Sequence, residues 1–334
     1  MKILITGAAG FIGYHLASKL LSNKNNIIIG IDNLNSYYDV NLKKNRLKKI
    51  IKKKNFFFYK LDIKNFYSLL KICKKHKIQY IVNLAAQAGV RHSIKNPKDY
   101  FDNNNLGFFN ILEVSKYLKV KHLIYASSSS VYGGNKNKIF SEKDNVDHPV
   151  SFYASTKKCN EVMAHSYSHI YKVPTTGLRF FSVYGPWGRP DMSLFIFVKS
   201  ILKRKKIFVN NYGNMKRDFT YIDDVINCLS KIICKIPKSN SKIKYLNAAN
   251  SFAPYKIFNV GFGKSINLLN YIMLIEKNLG IVSKKIFRKI PVGDVRSTTS
   301  DSTLIKKYIN FEPKTSIQTG IKNFISWYKF YYNI

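Results

Sequence analysis

The sequence predicts a doubly wound α/β fold, a parallel sheet with helices on both faces, followed by a smaller α/β domain. Three observations predict it. Short apolar runs of β type alternate with helical stretches up to residue 180, which is the rhythm of a covered parallel sheet. The first run passes straight into a glycine-rich turn, Gly7-Ala8-Ala9-Gly10-Phe11-Ile12-Gly13, that opens a helix. After Phe181 the rhythm breaks, and Gly185-Pro186, Gly188, Pro190, Gly213, Pro254, Gly261, Gly263, Pro291 and Gly293 punctuate short elements.

Taken in order, strands are expected at residues 2–6, 27–31, 56–61, 80–84, 122–127 and 175–180, with helices at 11–22, 40–52, 67–75, 100–118 and 153–171 between them. Residues 1–180 then form the first domain, to which the chain returns around 219–262, and 181–334 form the second. No linker separates them, so the active site is expected in the cleft where they meet.

Composition excludes several classes. The chain of 334 residues is 46% hydrophobic, as globular proteins are, and its apolar runs fall well short of the roughly 20 residues that span a bilayer. Gly7, Gly10 and Gly13 interrupt the N-terminal apolar run, which argues against a secretory leader, so the cytoplasm is the expected compartment. Cys73, Cys159, Cys228 and Cys234 form no CxxC pair, and the histidines are scattered, so neither a metal site nor a disulfide framework is signalled and buried free thiols are expected.

The net charge of +38 comes from 56 Lys+Arg against 18 Asp+Glu. A nucleic-acid surface would use arginine, yet only Arg46, Arg91, Arg179, Arg189, Arg204, Arg217, Arg288 and Arg296 are arginines. Lysine supplies the rest along the whole chain, and runs such as Lys43-Lys44, Lys52-Lys53-Lys54 and the basic stretch 203–206 are read as solvated faces. No nucleic-acid partner is expected. A positive field would still speed the capture of a diphosphate.

The glycine turn sits between a strand and a helix, the context in which such a pattern holds the pyrophosphate of a dinucleotide on a helix N-terminus. That makes the sheet Rossmann-type. Asp32 ends the second strand, where a carboxylate accepts hydrogen bonds from the adenosine ribose, and no arginine follows in Asn33-Leu34-Asn35, so NAD is expected rather than NADP.

Tyr153 and Lys157 form YxxxK on a helix, one turn apart on one face. A lysine ammonium and a cationic nicotinamide both favour phenolate and would bring the tyrosine toward neutrality, letting it take a proton from a sugar hydroxyl. The pattern alone is common. Ser127-Ser128-Ser129-Ser130-Val131-Tyr132-Gly133 precedes it at the C-terminal end of a strand, where ligands bind such sheets.

Together these motifs resemble the extended short-chain dehydrogenase/reductases, and within them the nucleotide-sugar epimerases. The resemblance implies Ser128, Tyr153 and Lys157 as catalytic residues, with Tyr153 the acid/base and Lys157 anchoring the nicotinamide ribose. It also implies that Asp62 and Ile63 lie near adenine, Leu84, Ala85 and Ala86 along NAD, and Asn104 on the following helix. The likeness sharpens in Gln87-Ala88-Gly89-Val90-Arg91, in Asp147-His148-Pro149-Val150-Ser151, in the segment 179–192 and in the segment 217–224, where the chain is similar to the UDP-glucuronate 4-epimerases.

Such enzymes invert C4 of UDP-glucuronate to give UDP-galacturonate, a precursor of surface polysaccharides, and relatives pair as homodimers. The 4-keto sugar formed on the way is a β-keto acid, prone to lose carbon dioxide, so its carboxylate must be held. By resemblance the holders are Ser128, Ser129, Ser130, Ser182 and Arg189, while Arg217 meets the diphosphate. Related dehydratases carry an acidic pair, and decarboxylases a Glu, where this chain has Ser129 and Ser130. Departures are Arg296 for Pro, Thr299 for an aromatic or His, Phe262 for Asn or Ser, and Ser182 for Thr. A 4-epimerase of neutral UDP-sugars, or a non-catalytic NAD- or nucleic-acid-binding protein, are the rival readings.

Overall fold

The structure, a computed structural model, describes residues 1–243 and 246–334. In chain order its strands are β1 (Lys2–Thr6), β2 (Ile27–Asp32), β3 (Phe56–Lys60), β4 (Tyr80–Asn83), β5 (His122–Ser128), β6 (Thr175–Phe180), β7 (Ser182–Tyr184), β8 (Ile207–Asn210), β9 (Lys216–Tyr221), β10 (Tyr255–Val260), β11 (Ser265–Asn267) and β12 (Lys285–Arg288). The helices are α1 (Phe11–Leu20), α2 (Val40–Lys48), α3 (Phe66–His76), α4 (Val90–Lys95), α5 (Pro97–Tyr100), α6 (Gly107–Tyr117), α7 (Phe152–Tyr171), α8 (Ser193–Leu202), α9 (Ile222–Ile233), α10 (Leu268–Leu279), α11 (Thr303–Ile309) and α12 (Ile317–Tyr332).

Seven strands make one sheet in the order β10-β6-β5-β4-β1-β2-β3, every pair parallel. Ile3 and Ile5 enter the apolar cluster on one face and Leu4 the cluster on the other, all fully buried, which is why the strand reads as a continuous apolar run. From β1 the chain winds outward through β2 and β3, then restarts at β4 on the other side. The sheet therefore has its switch point between β1 and β4, where ligand crevices form. Beyond β6 the chain builds a three-stranded sheet, β11-β9-β7, and a two-stranded one, β12-β8.

Two expected elements differ and one helix is added. The helix expected over 100–118 begins as α5, widens into a π-helical turn at Phe101–Leu106 and resumes as α6. The widened turn carries Asn104 inward, where it is buried. Helix α4 was not expected, because Gly89, at φ +110°, turns the chain into it by a conformation that a propensity reading does not register. Helix α2 stops at Lys48, where Lys49 and Ile50 donate to Arg46 and Leu47 in tighter turns.

Of the four thiols, Cys73 and Cys228 are buried, Cys159 is partly so and Cys234 is exposed, so burial holds for only part of the set. Among the described residues no helix is long and apolar enough to cross a membrane, and no group of three His, Cys, Asp or Glu could hold a metal.

A buried ion pair fixes α7 on the sheet. Arg179 of β6 donates to both oxygens of Glu161 on α7, at 2.9 and 2.8 Å, and to the Tyr132 hydroxyl at 3.0 Å. Ser127 adds a 2.6 Å bond to the same carboxylate, and Tyr132 passes the chain on to Asn259 of β10 at 2.7 Å. Removing one partner strands the other charge in the core. Arg179→Met should therefore lower stability by about 3–5 kcal/mol in urea denaturation, whereas a loss under about 1 kcal/mol would show the pair to be dispensable.

Candidate active site

A cavity of about 1010 Å³ opens at the switch point and runs from the ends of β1 and β2 to the segments around β8 and Asp294. At its inner end Gly7 adopts φ +69°, and a Cβ there would lie 2.8 Å from the Ala85 amide nitrogen. A Cβ on Gly13 would lie 2.1 Å from the Gly7 carbonyl oxygen. The turn closes with Gly10 donating to the Gly7 carbonyl at 2.9 Å. Gly10 then starts α1 with no side-chain cap and no acidic residue in the first turn, so the N–H groups of that turn are left to an anion.

Asp32, at the end of β2, accepts from Ala9 N at 3.1 Å and Leu34 N at 2.8 Å. Its carboxylate keeps further lone pairs for a ribose hydroxyl. Asp62 accepts from Asn33 Nδ2 at 3.1 Å and lines the same end with Ile63. Leu84, Ala85 and Ala86 form the wall after β4, with the Ala85 amide donating to Thr6 Oγ1 at 3.2 Å. This cradle, shaped for backbone approach and acceptor-lined at its sugar end, fits NAD.

Helix α7 starts where Ser151 caps the Ala154 amide at 3.2 Å, and this sets Tyr153 and Lys157 facing the cavity. Ser128 ends β5 beside them, its hydroxyl accepting from Ser130 N at 3.1 Å. Burial raises the Tyr153 pKa, while the hydrogen bond with Ser128 and the Arg189 charge pull it down. Burial also lowers the Lys157 pKa to about 8, and its ammonium donates to the Ala126 carbonyl at 2.9 Å. Of the charged pair nearby, Arg189 pulls the phenol down and Asp191 pushes it up, while the Lys157 ammonium rests on the carbonyl near the end of β5.

Ser129, Ser130, Ser182, Arg189 and Arg217 line the same cavity. Arg189 is paired with Asp191 through two hydrogen bonds, from Nε at 3.0 Å and Nη2 at 2.5 Å. Arg217 donates to Asp294 at 2.9 Å and to the Val295 carbonyl at 2.7 Å, and Arg91 reaches the other oxygen of Asp294 at 3.2 Å. Two guanidinium groups thus flank one carboxylate at the outer end. Asn104 is the expected site residue that does not line the cavity. It bonds both the amide and carbonyl of Gln87, at 2.8 and 3.0 Å, and the Thr156 hydroxyl at 3.0 Å, so it ties the loop after β4 to α7.

Sequence reasoning missed Lys43, Arg46, Tyr37 and Asp191. Lys43, read as part of a solvated face, is buried against the cavity and donates to the carbonyl and side chain of Asn35 at 2.8 and 2.7 Å. Lys52, Lys53 and Lys54 are exposed as expected. Arg46 is fully buried, bonded to the carbonyls of Ala9, Trp187 and Gly188 and to the Tyr38 hydroxyl. Leu42, Leu47 and Ile50 mark the buried face around it, but the carbonyls of Ala9, Trp187 and Gly188 that admit a guanidinium there come from distant parts of the chain. Asp191 lies two residues past Arg189, a spacing that could have flagged it.

Comparison with known proteins gives the frame. The profile described as Epimerase, NAD dependent epimerase/dehydratase family, matches residues 3–261. The chain belongs to that family. Among relatives of this epimerase/dehydratase, Protein CapI of Staphylococcus aureus is 49% identical over 99% of both chains. A probable UDP-glucuronate 4-epimerase of Rhizobium meliloti is 39% identical over 98% of this chain and 97% of its own. The crystal structure of UDP-glucuronic acid 4-epimerase from Bacillus cereus, in complex with UDP-glucuronic acid and NAD, superposes with a TM-score of 0.89 at 32% identity, covering 99% of this chain and 100% of that one. NAD is the cofactor of the family, and the glycine cradle at β1 is the place shaped for it.

Because Gly13 has no room for a methyl group, Gly13→Ala should weaken NAD binding about tenfold or more, equivalent to roughly 1.4 kcal/mol, measured by titration of intrinsic fluorescence. Unchanged affinity would place the pyrophosphate elsewhere.

Proposed function

We propose that this chain is an isomerase that inverts C4 of a UDP-uronic acid, converting UDP-glucuronate to UDP-galacturonate. One observation carries the reading. The guanidinium of Arg189 lines the same cavity as Tyr153 and Ser128, held there by Asp191. A neutral sugar has no use for a cation there, whereas a uronate carboxylate does. The full-length likeness to UDP-glucuronate 4-epimerases supports the same substrate.

In this reading residues 1–180, with a return at 219–262, hold NAD through Gly7, Gly10, Phe11, Ile12, Gly13, Asp32, Asp62, Ile63, Leu84, Ala85 and Ala86, and 181–334 hold the nucleotide sugar. NAD supplies a reversible hydride acceptor for C4. Tyr153 takes the proton of the C4 hydroxyl and returns it after the flat 4-keto sugar has turned over. Ser128 donates to that oxygen and keeps it within reach of Tyr153, and Lys157 lies beside them as the anchor for the nicotinamide ribose. Ser129, Ser130, Ser182 and Arg189 hold the carboxylate away from alignment with the C4 carbonyl, so carbon dioxide is retained. Arg217 meets the diphosphate, exchanging contacts with Asp294 for phosphate oxygens.

The test is turnover of UDP-glucuronate without added NAD, followed by NMR. UDP-galacturonate is expected, because the cofactor is restored in each cycle. UDP-xylose as product, or reaction of UDP-glucose while UDP-glucuronate stays intact, would overturn the reading in favour of decarboxylation or a neutral-sugar epimerase. Tyr153→Phe should lower kcat by about 10²–10⁴ with NAD still bound.

Exposed apolar residues gather on the helices either side of the site, with Phe109 and Tyr117 on α6 and Val162 and Ile170 on α7. We assign them to a homodimer interface, since large apolar side chains exposed on two packed helices mark a surface for association. Light scattering should give the dimer mass, and Val162→Glu should shift the population to monomer at micromolar concentration. A wild-type monomer would remove the assignment. The free thiols suit the cytoplasm, and a uronate product suits supply of an acidic surface polysaccharide.

A further inference from the structure

Arginine offers two bidentate edges, one side-on from Nε and one Nη, the other end-on from the two Nη groups. In Arg189 the side-on edge is filled by Asp191, with Nε on Oδ1 at 3.0 Å and Nη2 on Oδ2 at 2.5 Å. Among the described residues the Arg189 side chain makes no other hydrogen bond to the protein, and both side chains border the cavity. Its end-on edge is therefore available to a ligand.

Asp191 is itself braced. The Tyr37 hydroxyl donates to Asp191 Oδ2 at 3.2 Å, and the Tyr37 ring lies 4.9 Å from that of His92. The space for that hydroxyl depends on Gly89, since a Cβ there would lie 2.5 Å from the Tyr37 oxygen. Pro190 stiffens the single residue between Arg189 and Asp191. Burial pushes the Asp191 carboxyl up, but the guanidinium and the Tyr37 hydroxyl outweigh it and hold it below the ordinary carboxylate range, so it stays an acceptor.

We propose that Asp191, braced by Tyr37, is a positioning residue: by filling the side-on edge of Arg189 it fixes the guanidinium plane and leaves the end-on edge as a rigid seat for the sugar carboxylate. The proposal rests on the uronate reading above. A long arginine side chain loses much rotamer freedom when it is pinned, and here the pinning is complete before substrate arrives. A fixed plane matters because of the β-keto acid. When its C5–C6 bond aligns with the C4 carbonyl π system, that bond breaks, its electron pair enters the carbonyl as an enolate later protonated at C5, and carbon dioxide leaves. A carboxylate seated in one plane is kept from that alignment. The pairing also offsets the Arg189 charge, so the seat selects by geometry and releases a product carboxylate as readily as the substrate's.

The test is Asp191→Asn, which keeps shape and one acceptor but removes the charged fork. With UDP-glucuronate, KM should stay within about threefold of wild type, because a cation remains. The rate kcat should fall about tenfold or more, the scale of one charge-assisted hydrogen bond, and NMR should show UDP-4-keto-pentose or UDP-pentose that wild type does not form. Unchanged kcat with UDP-galacturonate alone overturns the proposal. So does a lower KM with higher kcat/KM and no pentose, because Asp191 would then merely block the fork. Bound NAD and melting temperature report folding. If Asp191→Asn loses its cofactor, Tyr37→Phe decides: a smaller shift toward pentose supports the brace, and a wild-type product ratio overturns it. Failure of wild type to turn over UDP-glucuronate would instead sink the uronate reading, which the wild-type control separates.

Discussion

A single buried guanidinium, that of Arg46, holds the two ends of the site at a fixed distance. Moving a charge out of water costs several kcal/mol unless every donor finds a partner, and among the described residues Arg46 forms no ion pair with a carboxylate. It spends its donors on Ala9 O at 2.9 Å, Tyr38 OH at 2.8 Å, Trp187 O at 3.2 and 2.6 Å and Gly188 O at 3.3 Å. Ala9 belongs to the glycine turn and Gly188 immediately precedes Arg189, so the dinucleotide cradle and the carboxylate seat share one bracket. The same loop is held from behind. His15 bonds the Pro186 carbonyl at 3.0 Å, and Trp187, at φ +61°, presses its ring between Tyr14 and Trp327 at 5.8 and 5.3 Å.

The catalytic helix is held by a second set of buried contacts that meets the first at Tyr153. Asn104 and Asn160 lock the π-helical turn to α7, Asn160 donating to the Asn104 carbonyl at 2.8 Å. Glu161 pins the next turn of α7 to Arg179. These contacts fix the height of Tyr153 over the sheet, and the Arg46 bracket fixes where Arg189 faces it. The electrostatics then follow from placement. Burial makes the phenol a weak acid, and the nearby cation and the Ser128 hydroxyl work against that, so the proton sits on a group tuned by its neighbours.

The parts legible in the sequence are those whose signal is local. Strands β1 to β6 were readable because apolar runs and glycine breaks lie within a few residues, and the cradle because three glycines and Asp32 each answer a backbone requirement in place. What escaped is tertiary. Arg46 and Lys43 lie between the apolar Leu42 and Leu47 of α2 but read as its charged members, and each is drawn inward by carbonyls outside that helix. Asn104 was placed on the right helix, but its bonds to Gln87 were not foreseen, because a widened turn carries its side chain inward. Lys157 was legible as the partner of Tyr153 in YxxxK, whereas the bond from its ammonium to the Ala126 carbonyl was not, because it crosses from α7 to β5.

The departures in the second half of the chain have the same explanation read in reverse. Arg296 offers its carbonyl to Lys216 N at 2.9 Å and to Arg217 at 3.2 Å, Thr299 offers its carbonyl to Phe140 N at 2.8 Å, and Phe262 gives its amide to Asp218 at 2.8 Å. Each acts through main-chain atoms that any side chain leaves in place, and even the amide that a proline would lack goes unused at 296. In the proposed reading the site depends on few side chains: the serines after β5, Tyr153, Lys157, Arg189 with Asp191, and Arg217 with Asp294. The lysine-rich drift that gives the chain its charge can therefore spread over the exposed surface, provided that the buried cations Lys43, Arg46, Lys157 and Arg179 keep their partners.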